Sequence, residues 1–165
     1  MRIRQLVFAA FVALSVAAPV QAADNLAYFG FKAGLMDADA SGHANPLNVG
    51  ALFGYQFFDE PHGSGAVEGE FTTTLTKGDK DGGGKWGVDT LAVYFAYRTA
   101  GDVYFKGKAG VANQHISGTD RVPDGSTFAF GVGVGWKASR KAGIELEGTA
   151  FDDLKFLSFG FYSFF

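Results

Sequence analysis

Large apolar side chains alternate with small or polar ones along most of the chain from residue 26 onward. In residues 47–58, for example, Val49 and Phe53 share one face, whereas Asn48 and Gly54 lie on the other. Strict alternation of this kind predicts β-strands with one apolar face. The division recurs in eight segments, at residues 26–36, 47–58, 67–75, 90–98, 103–111, 128–137, 144–149 and 157–165.

The connections between these segments alternate in length. Long connections that are rich in Gly, Asp and Ser occur at residues 37–46, 78–85 and 117–126, and short ones at 59–63, 99–102 and 138–142. Long loops on one side and short turns on the other are typical of outer-membrane β-barrels. Beyond the first 22 residues no run of 18 apolar residues occurs, which excludes a helical membrane span there.

The polar face carries charges of both signs, and this feature decides between two kinds of barrel. A lipocalin-like carrier turns its apolar face inward, whereas a membrane barrel turns that face toward lipid. An open sheet with the charges in water would expose too much Phe and Leu on its opposite face. We therefore predict an all-β fold, an eight-stranded antiparallel up-and-down transmembrane β-barrel with a side-chain-filled lumen. The predicted lumen charge network consists of Lys32, Glu68, Glu70, Arg98, Lys106, Lys108, Glu145 and Glu147.

Residues 1–22 have the pattern of a secretory signal peptide, which leaves residues 23–165 as the barrel domain. Arg2 and Arg4 precede an apolar stretch, and Val20-Gln21-Ala22 is a small-x-small cleavage site. We therefore expect export through the Sec pathway. The chain has no cysteine, which excludes disulfides and thiolate metal sites, and its net charge of −3 gives no support for nucleic-acid binding.

Three runs, FAFGVGVGWK at residues 128–137, AGIELEG at 142–148 and FLSFGFYSFF at 156–165, resemble the outer-membrane β-barrel domain family. That family is similar to the transmembrane part of the OmpA-like and opacity-type porins. The resemblance implies a last strand that ends on an aromatic residue and is recognised by the barrel-assembly machinery. The residues that fit this C-terminal assembly strand are Leu157, Phe159, Phe161 and Phe165, whereas Ser163 departs from its alternation.

His115 and Ser117 form the one candidate catalytic pair. They resemble the His-x-Ser of lipid A deacylase, an eight-stranded outer-membrane esterase, and residues two apart on a strand share a face. The nearest downstream glutamate, Glu145, does not have the spacing of that family. A polar strand end that runs into a loop is the favoured interpretation, so we expect no enzymatic activity.

No cofactor or metal is expected. Residues 37–42 resemble the start of a calcium loop, but Asn48 stands where the closing glutamate would be needed. His43, His62 and His115 lie in separate segments. We expect a small protein of the bacterial outer membrane with a structural or surface-interaction role, and not an open diffusion pore. Its expected partners are outer-membrane lipid and lipopolysaccharide, and an extracellular partner bound through the long loops.

Overall fold

The computed structural model describes residues 26–38, 44–81, 83–118 and 124–165, and it contains a closed antiparallel barrel. Each strand pairs with the next in the chain, and the last pairs with the first, so the barrel sheet has no open edge. The eight barrel strands are β1 (Ala27–Asp37), β2 (Leu47–Glu60), β3 (Gly63–Thr76), β4 (Lys85–Thr99), β5 (Val103–Ser117), β6 (Gly125–Lys137), β7 (Ala142–Ala150) and β8 (Lys155–Phe164). The predicted fold is therefore confirmed.

The predicted signal peptide, residues 1–22, lies outside the described residues. Within the part of the chain that is described, no helix is long and apolar enough to cross a membrane.

The strands are strongly staggered around the barrel. A path of paired residues that starts at Ser126 in β6 returns to the same strand at Trp136, ten residues farther along. It passes through Asn113, Leu91, Phe71, Ala51, Phe31, Phe161 and Ile144. A stagger of ten residues over eight strands corresponds to a strand tilt of about 40°. This tilt is in the range that membrane barrels use.

The two ends of the barrel differ in the length of the connections that they carry. The short-turn end carries the turns at residues 61–62, 100–102 and 138–141, and the long-loop end carries the remaining connections. At the long-loop end a two-residue strand, Gly78–Asp79, pairs with the start of β4. Lys85 therefore lies in a paired strand, although the sequence pattern places it in the connection at residues 78–85.

Strands β4 and β5 extend farther toward the long-loop end than the alternation predicts. Their outward positions there, Asp89 and His115, are polar and pair with each other. Thr73 Oγ1 of the neighbouring strand β3 donates to Asp89 Oδ1 at 2.7 Å. An apolar–polar alternation disappears where the outward face is polar as well, which is why the sequence pattern begins β4 too late and ends β5 too early.

The large apolar side chains point away from the barrel axis. Phe105 is 72% exposed and Phe128 is 73% exposed, and Phe31 in β1, Phe53 in β2 and Phe159 in β8 are exposed as well. The inward positions hold glycine, tyrosine and charged residues. The lipocalin-like interpretation is therefore wrong for this fold, because a carrier of that kind needs an apolar interior.

The lumen has three layers, which the inward residues of β5 mark in order. Tyr104 lies near the short-turn end, Lys106 and Lys108 at the middle, and Ile116 near the long-loop end. Ile116 belongs to an apolar plug whose larger members include Met36, Trp86, Val88, Phe151, Leu154 and Phe156.

Hydrogen bonds to loop residues hold the apolar plug in place at the long-loop end of the barrel. The indole Nε1 of Trp86 donates to the carbonyl of Ala44 at 2.9 Å, and the Ala44 amide donates to the carbonyl of Asp79 at 2.8 Å. The side chain of Lys80 donates to the carbonyl of Gly118. The lumen is thus closed by packed side chains at its long-loop end.

Candidate functional site

The eight charged residues expected in the lumen lie there and contact one another, and we call them the lumen network. All eight side chains are buried. The four cations and four carboxylates cancel in formal charge, which buried charges require if they are to remain ionised. Its members are Lys32, Arg98, Lys106 and Lys108, with Glu68, Glu70, Glu145 and Glu147.

Lys106 is the hub of the lumen network. Its Nζ lies 2.9 Å from Glu68 Oε2, 3.0 Å from Glu145 Oε2 and 2.9 Å from Glu147 Oε2. The contact with Glu145 Oε2 is also a hydrogen bond, whereas Glu68 Oε2 and Glu147 Oε2 meet the ammonium group as ion pairs only. The strands β3 and β7 that supply these carboxylates are thereby tied to β5 through the barrel interior.

Arg98 joins the same carboxylates nearer to the short-turn end. Its Nε donates to Glu145 Oε1 at 2.7 Å, one terminal nitrogen donates to Glu68 Oε1 at 2.5 Å, and the other donates to the Tyr28 hydroxyl at 2.9 Å. The guanidinium also lies 5.1 Å from the Tyr28 ring centroid and 5.2 Å from that of Tyr162. These contacts engage three of the five N–H donors of an arginine.

Lys32 and Lys108 hold a second pair of carboxylates together. Lys32 Nζ lies 2.9 Å from Glu70 Oε1 and 3.0 Å from Glu147 Oε1. Lys108 Nζ lies 2.8 and 2.7 Å from the same two oxygens and 4.0 Å from the Tyr94 ring centroid. Cations from β1 and β5 therefore meet at two shared carboxylates, and the network spans the lumen from wall to wall.

Tyrosine hydroxyls complete the network on the side of the short-turn end. Tyr28 donates to Glu68 Oε1 at 2.6 Å, Tyr104 donates to Glu145 Oε1 at 2.8 Å, and the Tyr104 and Tyr162 hydroxyls are 3.0 Å apart. The sequence analysis did not assign these tyrosines to the network. Their position on the polar face of each strand was the available signal.

Glycines make room for these rings. A Cβ built on the inward-facing glycines of β2, β6 and β7 would collide with a tyrosine ring from a neighbouring strand. The pairs are Gly54 with Tyr28, Gly135 with Tyr104, and Gly143 with Tyr162. The abundance of glycine on the polar face is therefore a requirement of the filled lumen.

His115 and Ser117 lie on the outward face of β5 at the long-loop end. His115 is 70% exposed, and its Nδ1 is 2.8 Å from Asp124 Oδ2. The Ile116 amide donates to Asp124 Oδ1 at 2.5 Å, and this hydrogen bond together with His115 holds the pKa of Asp124 below its usual value. Ser117 Oγ is 3.4 Å from the Gly87 carbonyl oxygen, and within the described residues it has no hydrogen bond to His115.

Asp124 is the carboxylate that the sequence analysis did not find. Glu145, which it considered instead, lies inside the lumen and contacts Arg98. Asp124 faces His115 across the β5–β6 hairpin. The pairing of these two strands brings the two residues together, and the spacing of residues along the chain does not indicate this contact.

No metal-binding group of three or more His, Asp or Glu residues forms among the residues that the structure describes. The calcium-loop resemblance falls largely on residues 39–42, and these and His43 lie outside the described residues.

The C-terminal strand β8 is held on both sides. It pairs with β1 and with β7, and its outward residues include Leu157, Phe159 and Phe161. The amide of Phe165 donates to the carbonyl of Ala27 at 3.1 Å, which closes the barrel at its short-turn end. Recognition of this strand by the barrel-assembly machinery stays a prediction.

Several solved outer-membrane barrels share this fold. Neisserial surface protein A matches with a TM-score of 0.62 and 14% identity, over 84% of this chain and 97% of that one. The outer membrane enzyme PagL matches with a TM-score of 0.55 and 14% identity, over 82% of this chain and 98% of that one. Ail of Yersinia pestis, solved with the heparin analogue sucrose octasulfate, matches with a TM-score of 0.51 and 14% identity, over 84% and 95%.

No protein-family model matches the sequence, and no curated protein matches it. At 14% identity these structural likenesses establish the fold and leave the activity open.

Proposed function

We propose that this protein is a closed, non-enzymatic barrel of the bacterial outer membrane, with a structural or surface-interaction role. The observation that carries the proposal is the filled lumen. The lumen network crosses the middle of the barrel, and the apolar plug closes the long-loop end. A continuous aqueous path is needed for solute diffusion, and packed side chains occupy the place that it would take.

The proposed orientation places the long-loop end outside the cell and the short-turn end in the periplasm. Residues 37–46, 78–85 and 117–126 are then the surface available to an extracellular partner. The outward phenylalanines contact the acyl chains of outer-membrane lipid, with lipopolysaccharide at the polar rim. Ail, a barrel of the same fold, was solved with a heparin analogue, which supports surface interaction as a role of this architecture.

A liposome-swelling assay tests the closed barrel. The purified protein, refolded into liposomes, is expected to give no faster entry of a small sugar than protein-free liposomes, whereas a general porin included as a positive control does. Sugar entry that rises with the amount of folded protein would contradict the proposal.

Cell fractionation tests the location independently of conductance. The mature chain is expected in the detergent-extracted outer-membrane fraction. Recovery in the soluble periplasm without detergent would exclude the membrane assignment.

One observation favours a second candidate function, that of a lipid-modifying esterase. Asp124 Oδ2 contacts Nδ1 of His115, and Ser117 lies two residues farther along the same outward face of β5. A serine nucleophile needs an imidazole base, and the base needs an orienting carboxylate, so His115, Ser117 and Asp124 supply the three residue types. PagL, which shares the fold, is an outer membrane enzyme.

Incubation of the membrane-embedded protein with lipopolysaccharide distinguishes the two candidates. The non-enzymatic proposal expects no released fatty acid. Release that is lost in Ser117→Ala and in Asp124→Asn, but kept in the neighbouring control Ser126→Ala, would establish the esterase instead.

A further inference from the structure

The two ends of the lumen differ, and the short-turn end is open. There the tyrosine layer lies beneath a cavity of about 550 Å³, which we call the vestibule. Ser64, Arg98 and Tyr162 are among its lining residues. Its rim is formed by residues of the turns at 100–102 and 138–141 and by the strand ends on either side of the turn at 61–62. A volume of this size is in the range of pockets that bind small ligands, roughly 300–1,000 Å³.

Arg98 is one of the residues that line this cavity, and not all of its donors are used. Its side chain is buried, yet three of its five N–H groups account for all of its hydrogen bonds to described residues. Two carboxylates, those of Glu68 and Glu145, already balance its charge. A neutral acceptor such as a peptide carbonyl therefore suits the remaining donors better than another carboxylate, which the two glutamates would repel.

The rim of the vestibule carries both signs of charge. Asp59, Glu60 and Asp102 supply carboxylates, whereas Lys137 and Arg140 supply cations. A ligand that carried only one sign would meet repulsion from part of this rim. A ligand with ammonium and carboxylate groups separated by a polar chain would find an opposite charge for each.

We propose that the vestibule binds a short zwitterionic peptide from the short-turn side. A backbone carbonyl accepts from Arg98, ammonium groups face Asp59, Glu60 and Asp102, and carboxylates face Lys137 and Arg140. Free periplasmic peptides and the peptide stems of the cell wall share this chemistry. The inference goes beyond the proposed loop-mediated role, because it concerns the opposite end of the barrel.

Isothermal titration calorimetry on the folded mature chain in detergent micelles tests the site. The probes are a tetrapeptide with free termini and one additional side-chain ammonium, the same peptide acetylated and amidated at its ends, and the peptide attached to a cell-wall disaccharide. The free-terminus form is expected to bind at least about tenfold more tightly than the blocked form. Tighter binding of the disaccharide form would identify the cell wall as the source, and equal or weaker binding would identify free peptides.

Matched variants locate the binding. Ser64→Trp places a large ring in the vestibule, and Arg140→Ala removes one cation from the rim. Both are expected to weaken binding by about tenfold or more, whereas Lys85→Ala at the long-loop end leaves it unchanged. The rim variant keeps the test decisive if the tryptophan variant does not fold.

Three results would overturn the inference. One is the absence of binding heat at millimolar peptide, and another is equal affinity for the free and blocked peptides. The third is unchanged affinity in Arg140→Ala and in folded Ser64→Trp. The assay measures peptide binding in detergent micelles and does not depend on binding by the long loops. A negative result would therefore leave the proposed outer-membrane role unchanged.

Discussion

At the scale of single residues, the lumen network is stable only because each charge meets several opposite charges. Lys106 illustrates the balance, since its three carboxylates lie at 2.9 to 3.0 Å and its Nζ is almost completely screened from solvent. Removing one member of a buried ion pair leaves its partner charged and unpaired, which is far more destabilising than the loss of a surface pair.

The variant Arg98→Ala tests this balance. It leaves Glu68 and Glu145 without their guanidinium contacts, so we expect the free energy of unfolding to fall by about 3–5 kcal/mol. The measurement is the denaturant midpoint in detergent. Arg140→Ala, in an exposed turn, is the control and is expected to change stability by less than about 0.5 kcal/mol. An unchanged midpoint in Arg98→Ala would show that the lumen is hydrated and the pairs weak.

Strand parity was sufficient to predict which charges enter the lumen, because a strand sends alternate residues to the same face. It was insufficient to predict which charged residues form ion pairs with each other. Arg98 contacts Glu145 across the interior, and that contact depends on the ten-residue stagger of the closed sheet. Tyr28 and Tyr104 were missed although they lie on the polar face, because the network was predicted from formally charged residues and a tyrosine hydroxyl carries no formal charge.

At the scale of the strands, glycine decides how closely the walls and the lumen rings approach. Gly135 in β6 faces inward, against the Tyr104 ring, and a Cβ there collides with the ring atoms. Gly107 in β5 faces outward, where a Cβ meets nothing within 4 Å. Substitutions at Gly135 and Gly107 therefore distinguish the effect of a glycine on side-chain packing from its effect on strand propensity.

We predict that Gly135→Val destabilises the barrel by about 1–3 kcal/mol because it forces Tyr104 out of its hydrogen bond to Glu145. Gly107→Val is expected to be neutral or slightly stabilising, since valine favours strands and adds apolar surface toward lipid. Unfolding midpoints in the same detergent check both variants. Equal destabilisation of the two would assign the effect to the backbone and not to ring packing.

The strand ends show where the sequence pattern stops being informative. The alternation predicts the apolar middle of each strand, which is the part that contacts lipid. It fails in β4 and β5 near Asp89 and His115, where the outward side is polar as well. The apolar plug was also missed, because Trp86 and Val88 are apolar residues at inward positions of β4, where the pattern predicts polar or small ones, and Phe151 lies outside the strands.

At the scale of the whole molecule, a dry lumen network predicts little dependence of stability on salt. Exposed pairs are screened within a Debye length of about 10 Å at 0.1 M and about 3 Å at 1 M salt, whereas buried pairs are screened much less. We therefore expect the thermal unfolding temperature in detergent to change by only a few degrees across this range. A steep loss of stability with salt would indicate that water and ions reach the charges.

The orientation of the barrel gives the most direct test of the whole arrangement, and the absence of cysteine makes it feasible. Asp81 lies at the long-loop end and Arg140 in a short turn, and both are exposed. We expect a membrane-impermeant maleimide to label Asp81→Cys in intact cells, and Arg140→Cys only after the outer membrane is permeabilised. The parental chain, with no thiol, is the control for background labelling. The reverse pattern would place the vestibule outside the cell and the long loops in the periplasm. It would exclude both the proposed surface role of the long loops and a periplasmic source of the peptide ligand. Peptide binding in micelles would be unaffected.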